Sequence, residues 1–126
     1  MSEVADVCRR FGFEMLAPGD LPLEQQIESF SQARVVVGVH GSALVNAIFR
    51  RNAKLTMVEI LPPRLGPEYQ PRPWWFYLAT VLGHDHELFY ADDGSGAALG
   101  KAAFRRDFAV DSDRLAAKLA AILDRV

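Results

Sequence analysis

The stretch ARVVVGVHGSALVNAIFR, residues 33–50, passes from a continuous β-branched run through His40-Gly41-Ser42 and directly into a helical pattern. An unbroken apolar run of this kind is typical of a strand covered on both faces, as in a parallel sheet. A strand that feeds a helix through a glycine turn is the opening of a crossover, because parallel neighbours need a helix to connect them.

Outward from this stretch, the same alternation continues. Upstream, apolar residues at 23, 27, 30 and 33 mark an amphipathic helix, and Val4, Val7, Cys8 and Phe11 mark another that Gly12 stops before the short strand-like run FEML. Downstream, KLTMVEI reads as a strand ending at Pro62 and Pro63, and five of the seven prolines lie between residues 62 and 73, where regular structure is excluded. A helix from Pro73 to Leu82 is closed by Gly83, and the strand-like HELFYA follows. Residues 94–107 read as a second loop, and Leu115, Leu119, Ile122 and Val126 define a closing helix. The pattern predicts an α/β fold: a Rossmann-like sandwich with a small, mostly parallel sheet of about four strands flanked by helices, forming one domain over residues 1–126. Such units normally begin with a strand, and this chain begins inside a helix, so it reads as a piece of a longer protein.

Composition narrows the function classes. With half of 126 residues hydrophobic, a quarter charged and a formal net charge of −2, the chain can bury a core and offers no polyanion-binding surface, so nucleic acid is not an expected partner. A single cysteine, Cys8, excludes an intramolecular disulfide and a cysteine-rich zinc site, and suits a reducing compartment. No apolar run approaches the roughly 20 residues of a membrane span. The segment reads as soluble and cytoplasmic, with a peripheral membrane position conceivable for a longer protein.

In open parallel sheets, ligands sit beyond the carboxyl ends of the strands, where helix N-termini converge. His40, Gly41 and Ser42 fall at such a place. Glycine permits close approach to the backbone, the N–H groups of a first helical turn favour an anion such as a diphosphate, and His40 and Ser42 supply further donors. Asn46, four residues after Ser42, would share its face on an α-helix, while Leu44, Ile48 and Phe49 serve the core. A purely structural reading stands beside this one at even odds: Ser42 as N-cap, Gly41 as turn residue, His40 as a satisfied polar group.

The stretches LPLEQQIESFSQARVVVGVHGSALVNAIF and KLTMVEILPP together resemble the C-terminal half of family 61 glycosyltransferases, whose pattern has an EQ-rich helix, a strand, G-P-H-G-A-G-L-T-N, and a strand ending in glutamate. The turn is also similar to the H-x-G-x-N-S turn with which other GT-B-type glycosyltransferases hold a nucleotide-sugar diphosphate. Gly38, His40, Gly41, Leu44, Asn46 and Glu59 match the family pattern. Val39, Ser42, Ala43 and Val45 depart from it, Ser42 adding a donor and Ala43 a methyl group at the helix start. The resemblance implies the donor-binding part of an inverting glycosyltransferase of GT-B architecture, acting in polysaccharide biosynthesis such as capsule assembly. It implies a nucleotide-sugar as donor substrate, a uridine diphosphate sugar being one candidate, a saccharide acceptor, and no separate cofactor. The N-terminal domain that would carry the acceptor site and catalytic base is absent from this segment, so the segment alone is expected to bind rather than to turn over. His40 would stabilise charge, Glu59 would accept hydrogen bonds from a ribose or sugar hydroxyl, and a strand missing from the sheet would be replaced by direct pairing, a swap or a homodimer.

The remaining motifs carry less. Arg64 and Arg72 lie in the proline-rich loop, where a guanidinium can reach a phosphate, and Arg64 is the better candidate for the donor site. The run Trp74-Trp75-Phe76-Tyr77 cannot face one way on a helix, so at least one aromatic should be exposed. GSGAALGKAA fails the phosphate-loop template at Ser95 and Ala102. His84 and His86 share one strand face at metal-like spacing, with only Asp92 and Asp93 nearby as further ligands, and no metal is expected. Asp111-Ser112-Asp113 spells D-x-D, but its place before an amphipathic helix makes it a cap. The rival to a transferase is a noncatalytic α/β interaction module with a degenerate nucleotide site; an esterase would need a G-x-S-x-G elbow that the chain does not contain.

Overall fold

The computed structural model describes residues 2–39, 41–51, 53–62, 74–91 and 109–126. His40, Arg64, Arg72, the proline-rich loop, the GSGAALGKAA stretch, and Asp92 and Asp93 lie outside the described residues. The chain divides into two compact units, residues 1–16, 62–70 and 90–126 in one and residues 17–61 and 71–89 in the other.

In the first unit, α1 (Ser2–Arg10) packs on the closing helix α4 (Ser112–Arg125). Val4, Val7 and Cys8 are buried from α1, and Leu115, Leu119 and Ile122 from α4, each set spaced three or four residues apart as one helix face requires. Gly12 ends α1 at φ +82°, a left-handed conformation that glycine adopts without strain. α4 starts at an N-cap: an Asp111 carboxylate oxygen accepts from the backbone N–H groups of Asp113 (3.0 Å) and Arg114 (3.1 Å). The D-x-D sequence is thus a helix cap, as its position predicted. Val126, assigned to the buried stripe, is instead exposed at the chain end.

The second unit is a small parallel sheet of three strands flanked by helices, consistent with a Rossmann-like fold. Its elements run α2 (Leu23–Gln32), β1 (Val35–Val39), a 3₁₀ helix (Ser42–Phe49), β2 (Thr56–Leu61), α3 (Trp74–Leu82) and β3 (Asp85–Tyr90). Strand order is β1-β2-β3, and β1 pairs with β2 in parallel from Val35 opposite Thr56 to Val39 opposite Ile60. The fourth expected strand does not form: residues 13–16 are irregular, and Met15 and Leu16 are exposed.

Burial is redistributed accordingly. β1, read as a strand covered on both faces, is a sheet edge with its residues half-buried and Val39 exposed. The strand buried on both faces is β2, all six of whose residues are buried. Leu44 and Ala47 of the 3₁₀ helix, Leu55 and Met57 around the start of β2, and Ala79 of α3 form the core on one side of the sheet, with Ala33, Val36 and Trp75 packed against them. In α2 only Phe30 is buried, and Leu23 and Ile27, placed on the core stripe by periodicity, are exposed. α3 ends at Gly83 with φ +76°, and its Phe76 and Tyr77 are exposed while Trp75 is half-buried, as the crowded aromatic run required.

Candidate functional site

The segment after β1 is not the α-helix that its pattern suggested. Val45, Asn46 and Ile48 are mediocre helix formers, and the residues whose packing matters, Leu44 and Ala47, are three apart. A helix of three residues per turn puts both on one row against the sheet. Burial follows that period: Leu44 and Ala47 are buried, Asn46 and Phe49 half-buried, Val45 and Ile48 exposed. The bonding agrees at both ends, with the Leu44 N–H donating to the Gly41 carbonyl at 3.4 Å and the Arg50 N–H to the Ala47 carbonyl at 3.1 Å. Asn46 therefore shares a row with Phe49, and the four-residue relation to position 42 does not give a common face. Ile48, assigned to the core, is exposed.

Gly38 and Gly41 have different reasons to be glycine. Gly38 lies opposite Glu59 in the β1–β2 register. A Cβ built there would stand 3.2 Å from Leu44 Cδ2 and 3.8 Å from its Cγ, so the missing side chain lets the 3₁₀ helix settle on β1. Gly41 caps the 3₁₀ helix with φ 170° and ψ 170°, an extended backbone open to any residue. A Cβ at Gly41 would meet only the Val39 carbonyl oxygen at 3.6 Å, an ordinary contact. Neither backbone strain nor packing among the described residues demands glycine at 41.

Glu59 is the fourth residue of β2, not a strand-end group, and its carboxylate is buried. His86 Nε2 lies 2.9 Å from Glu59 Oε1, the His86 and Glu59 side chains being 7% and 4% exposed, and Phe76 of α3 stands edge-on to the imidazole with centroids 6.2 Å apart. A carboxylate only accepts, so His86 donates. Burial of an acid is tolerated here because it is hydrogen-bonded within the sheet.

His84, the other histidine of the pair, points elsewhere. Its Nδ1 accepts from the Leu55 N–H at 3.1 Å, its Nε2 lies 3.3 Å from the Ala47 carbonyl, and its own N–H donates to the Ala79 carbonyl at 2.8 Å. Both histidines are thus spoken for by protein groups, and among the described residues no three acidic, histidine or cysteine side chains gather to hold a metal ion. Arg50 ties the helix layer together by donating from Nη1 to the Ser31 carbonyl in the last turn of α2. These roles of His84, His86 and Arg50 were not readable from the sequence, since spacing marks the histidines only as strand neighbours.

Of the six residues assigned to the site, Gly41 and Ser42 stand together where β1 gives way to the 3₁₀ helix. Asn46 follows on the same helix, and Glu59 lies beside Gly38 on the neighbouring strand. His40 and Arg64 are outside the described residues. No helix among the described residues is long and apolar enough to cross a membrane. No curated protein and no solved structure matches the chain. Residues 1–58 match the family model described as Glycosyltransferase 61, a span that holds α1, α2, β1, the glycine turn and the whole 3₁₀ helix, and the match supports a family 61 glycosyltransferase.

Proposed function

We propose that this chain is the donor-binding part of an inverting glycosyltransferase, which moves a sugar from a nucleotide-sugar to a saccharide hydroxyl in polysaccharide biosynthesis. The observation that carries the reading is Gly41: a glycine that neither backbone strain nor packing among the described residues requires, where a Cβ would make only an ordinary contact with the Val39 carbonyl, at the junction of a strand and a helix start. We assign that junction to a diphosphate. The first N–H groups of a 3₁₀ helix have no acceptor within the helix and point toward its N-terminal end, where an anion satisfies them.

In this reading the leaving nucleoside diphosphate gains negative charge as the bond to the sugar breaks, and the turn offers donors where that charge grows. His40, Ser42, Asn46 and Arg64 are proposed as further donors to the bound nucleotide-sugar. Glu59, buried and bonded by His86 beside Gly38, is proposed to accept from a ribose or sugar hydroxyl of the donor. The catalytic base and the acceptor site belong to an accompanying domain of a GT-B architecture.

Gly41→Ala tests the reading. It should leave the unfolding free energy within about 0.5 kcal/mol of the parent, as for a surface change that strains nothing. Uridine diphosphate binding, followed by calorimetry, should fall at least tenfold, and uridine alone should not bind. Equal affinity of parent and variant for uridine diphosphate would remove Gly41 from the site.

A further inference from the structure

A 3₁₀ helix of eight residues is a weak element by itself, because its hydrogen bonds are poorly aligned. What fixes it is tertiary: Leu44 and Ala47 in the core, Arg50 on the Ser31 carbonyl, and the ring of His84. The ring links it by side-chain hydrogen bonding to the segment that leads into β2. Leu55 stands just before β2 and donates its N–H to Nδ1, so Nδ1 carries a lone pair and no hydrogen. The hydrogen of the neutral ring is then on Nε2, aimed at the Ala47 carbonyl. One tautomer satisfies both contacts.

We propose that His84, as a neutral imidazole with its hydrogen on Nε2, is the positioning residue that holds the 3₁₀ helix, and with it the glycine turn, against the sheet. A second proton on the ring would set an Nδ1–H against the Leu55 N–H, two donors about 3.1 Å apart, and that bond would be lost. The ring would then leave its place and release Ala47. The two contacts together therefore require the neutral ring with its hydrogen on Nε2. The consequence for ligand binding rests on the diphosphate reading of the turn; the attachment itself does not.

Among the described residues, the elements around the ring carry the following ionisable groups. The 3₁₀ helix carries none, and Arg50 beyond it donates to Ser31. Before β2, Lys54 pairs with Asp85 of β3 at 2.9 Å. Glu59 of β2 and His86 of β3 bond each other, Glu87 of β3 has its own partner, and α3 contributes only the exposed Tyr77.

The test is imidazole-nitrogen and amide NMR of the intact chain without ligand, followed by titration with uridine diphosphate. The proposal expects a bare Nδ1 and a protonated Nε2 on His84 at neutral pH. His84→Asn keeps an acceptor near the Nδ1 position but is too short to reach Ala47. In that variant the Leu55 amide should stay near its parent position, the 3₁₀-helix amides should shift, and affinity for uridine diphosphate should drop tenfold or more. A hydrogen on Nδ1, or 3₁₀-helix amides indifferent to His84→Asn, would overturn the proposal. Amides that behave as stated in a parent that binds no uridine diphosphate would confirm the attachment and refute the diphosphate reading.

Discussion

Gly38→Ala is the perturbation whose size can be worked most directly from the structure. The added methyl would meet Leu44 Cδ2 at 3.2 Å, inside ordinary contact, and Leu44 is nearly fully buried, so it has little room to withdraw. Overpacking of this kind typically costs about 1–3 kcal/mol. Against it, replacing glycine in a strand removes unfolded-chain entropy, a gain of roughly 0.4–1 kcal/mol where the backbone tolerates a side chain. The positive term is the larger, and Gly38→Ala should destabilise the chain by about 1 kcal/mol net. Leu44→Val removes the very atom that clashes, at about 0.8 kcal/mol for one buried methylene.

The two changes should therefore compensate. In urea denaturation, Gly38→Ala made in the Leu44→Val background should be neutral or stabilising, giving a coupling of roughly 1 kcal/mol in the double-mutant cycle, well above the ~0.3–0.5 kcal/mol scatter of independent sites. Strictly additive effects would refute the argument that Gly38 is glycine in order to admit the 3₁₀ helix.

Four further outcomes follow from particular contacts. Asp111→Ala should cost about 1 kcal/mol by exposing the first N–H groups of α4, and Asp111→Asn much less, as read by thermal unfolding. His86→Ala should cost about 1–3 kcal/mol, because it takes a charged-acceptor hydrogen bond from the buried Glu59 carboxylate. Arg50→Ala should loosen α2 by roughly 1 kcal/mol, with the Ser31 carbonyl losing its donor and faster amide exchange appearing in the last turn of that helix. Burial raises the Cys8 thiol above its ordinary range, so alkylation of the native chain at neutral pH should be slow compared with the unfolded chain. The sign for stability is that burial favours the protonated thiol: its contribution is intact at neutral pH and declines as the pH rises past the titration of the unfolded thiol.

The alternation of helix and strand was legible because each element carried its own period and stop signal. Gly12 and Gly83 stand at left-handed φ where the helices were read to end, and Asp111 caps α4 through two measured bonds. Failures came where neighbours decide. FEML has strand-like residues but is irregular, and RVVVGV looks doubly buried but is a sheet edge. An apolar run states what a segment tolerates, not which partner it finds. The 3₁₀ form of residues 42–49 was hidden for a related reason: SALVNAIF satisfies a 3.6 period on paper, and only the packing of Leu44 and Ala47 together selects a period of three. Local sequence likewise brought Gly41, Ser42 and Asn46 together, whereas the His86–Glu59 bond and the His84 bridge join residues 27 to 37 positions apart, which no local spacing encodes.

The central claim is that the turn after β1 receives a diphosphate. Its most direct test is a titration of the chain with uridine diphosphate and guanosine diphosphate by amide-resolved NMR, following Gly41, Ser42 and Asn46, with inorganic sulfate at matched ionic strength as control. The account predicts saturable shifts centred on those three amides, with small changes at α4 and with His40→Ala weakening the response. Saturable shifts centred elsewhere, or amides at 41–46 that stay still while the rest of the spectrum reports a folded chain, would contradict it.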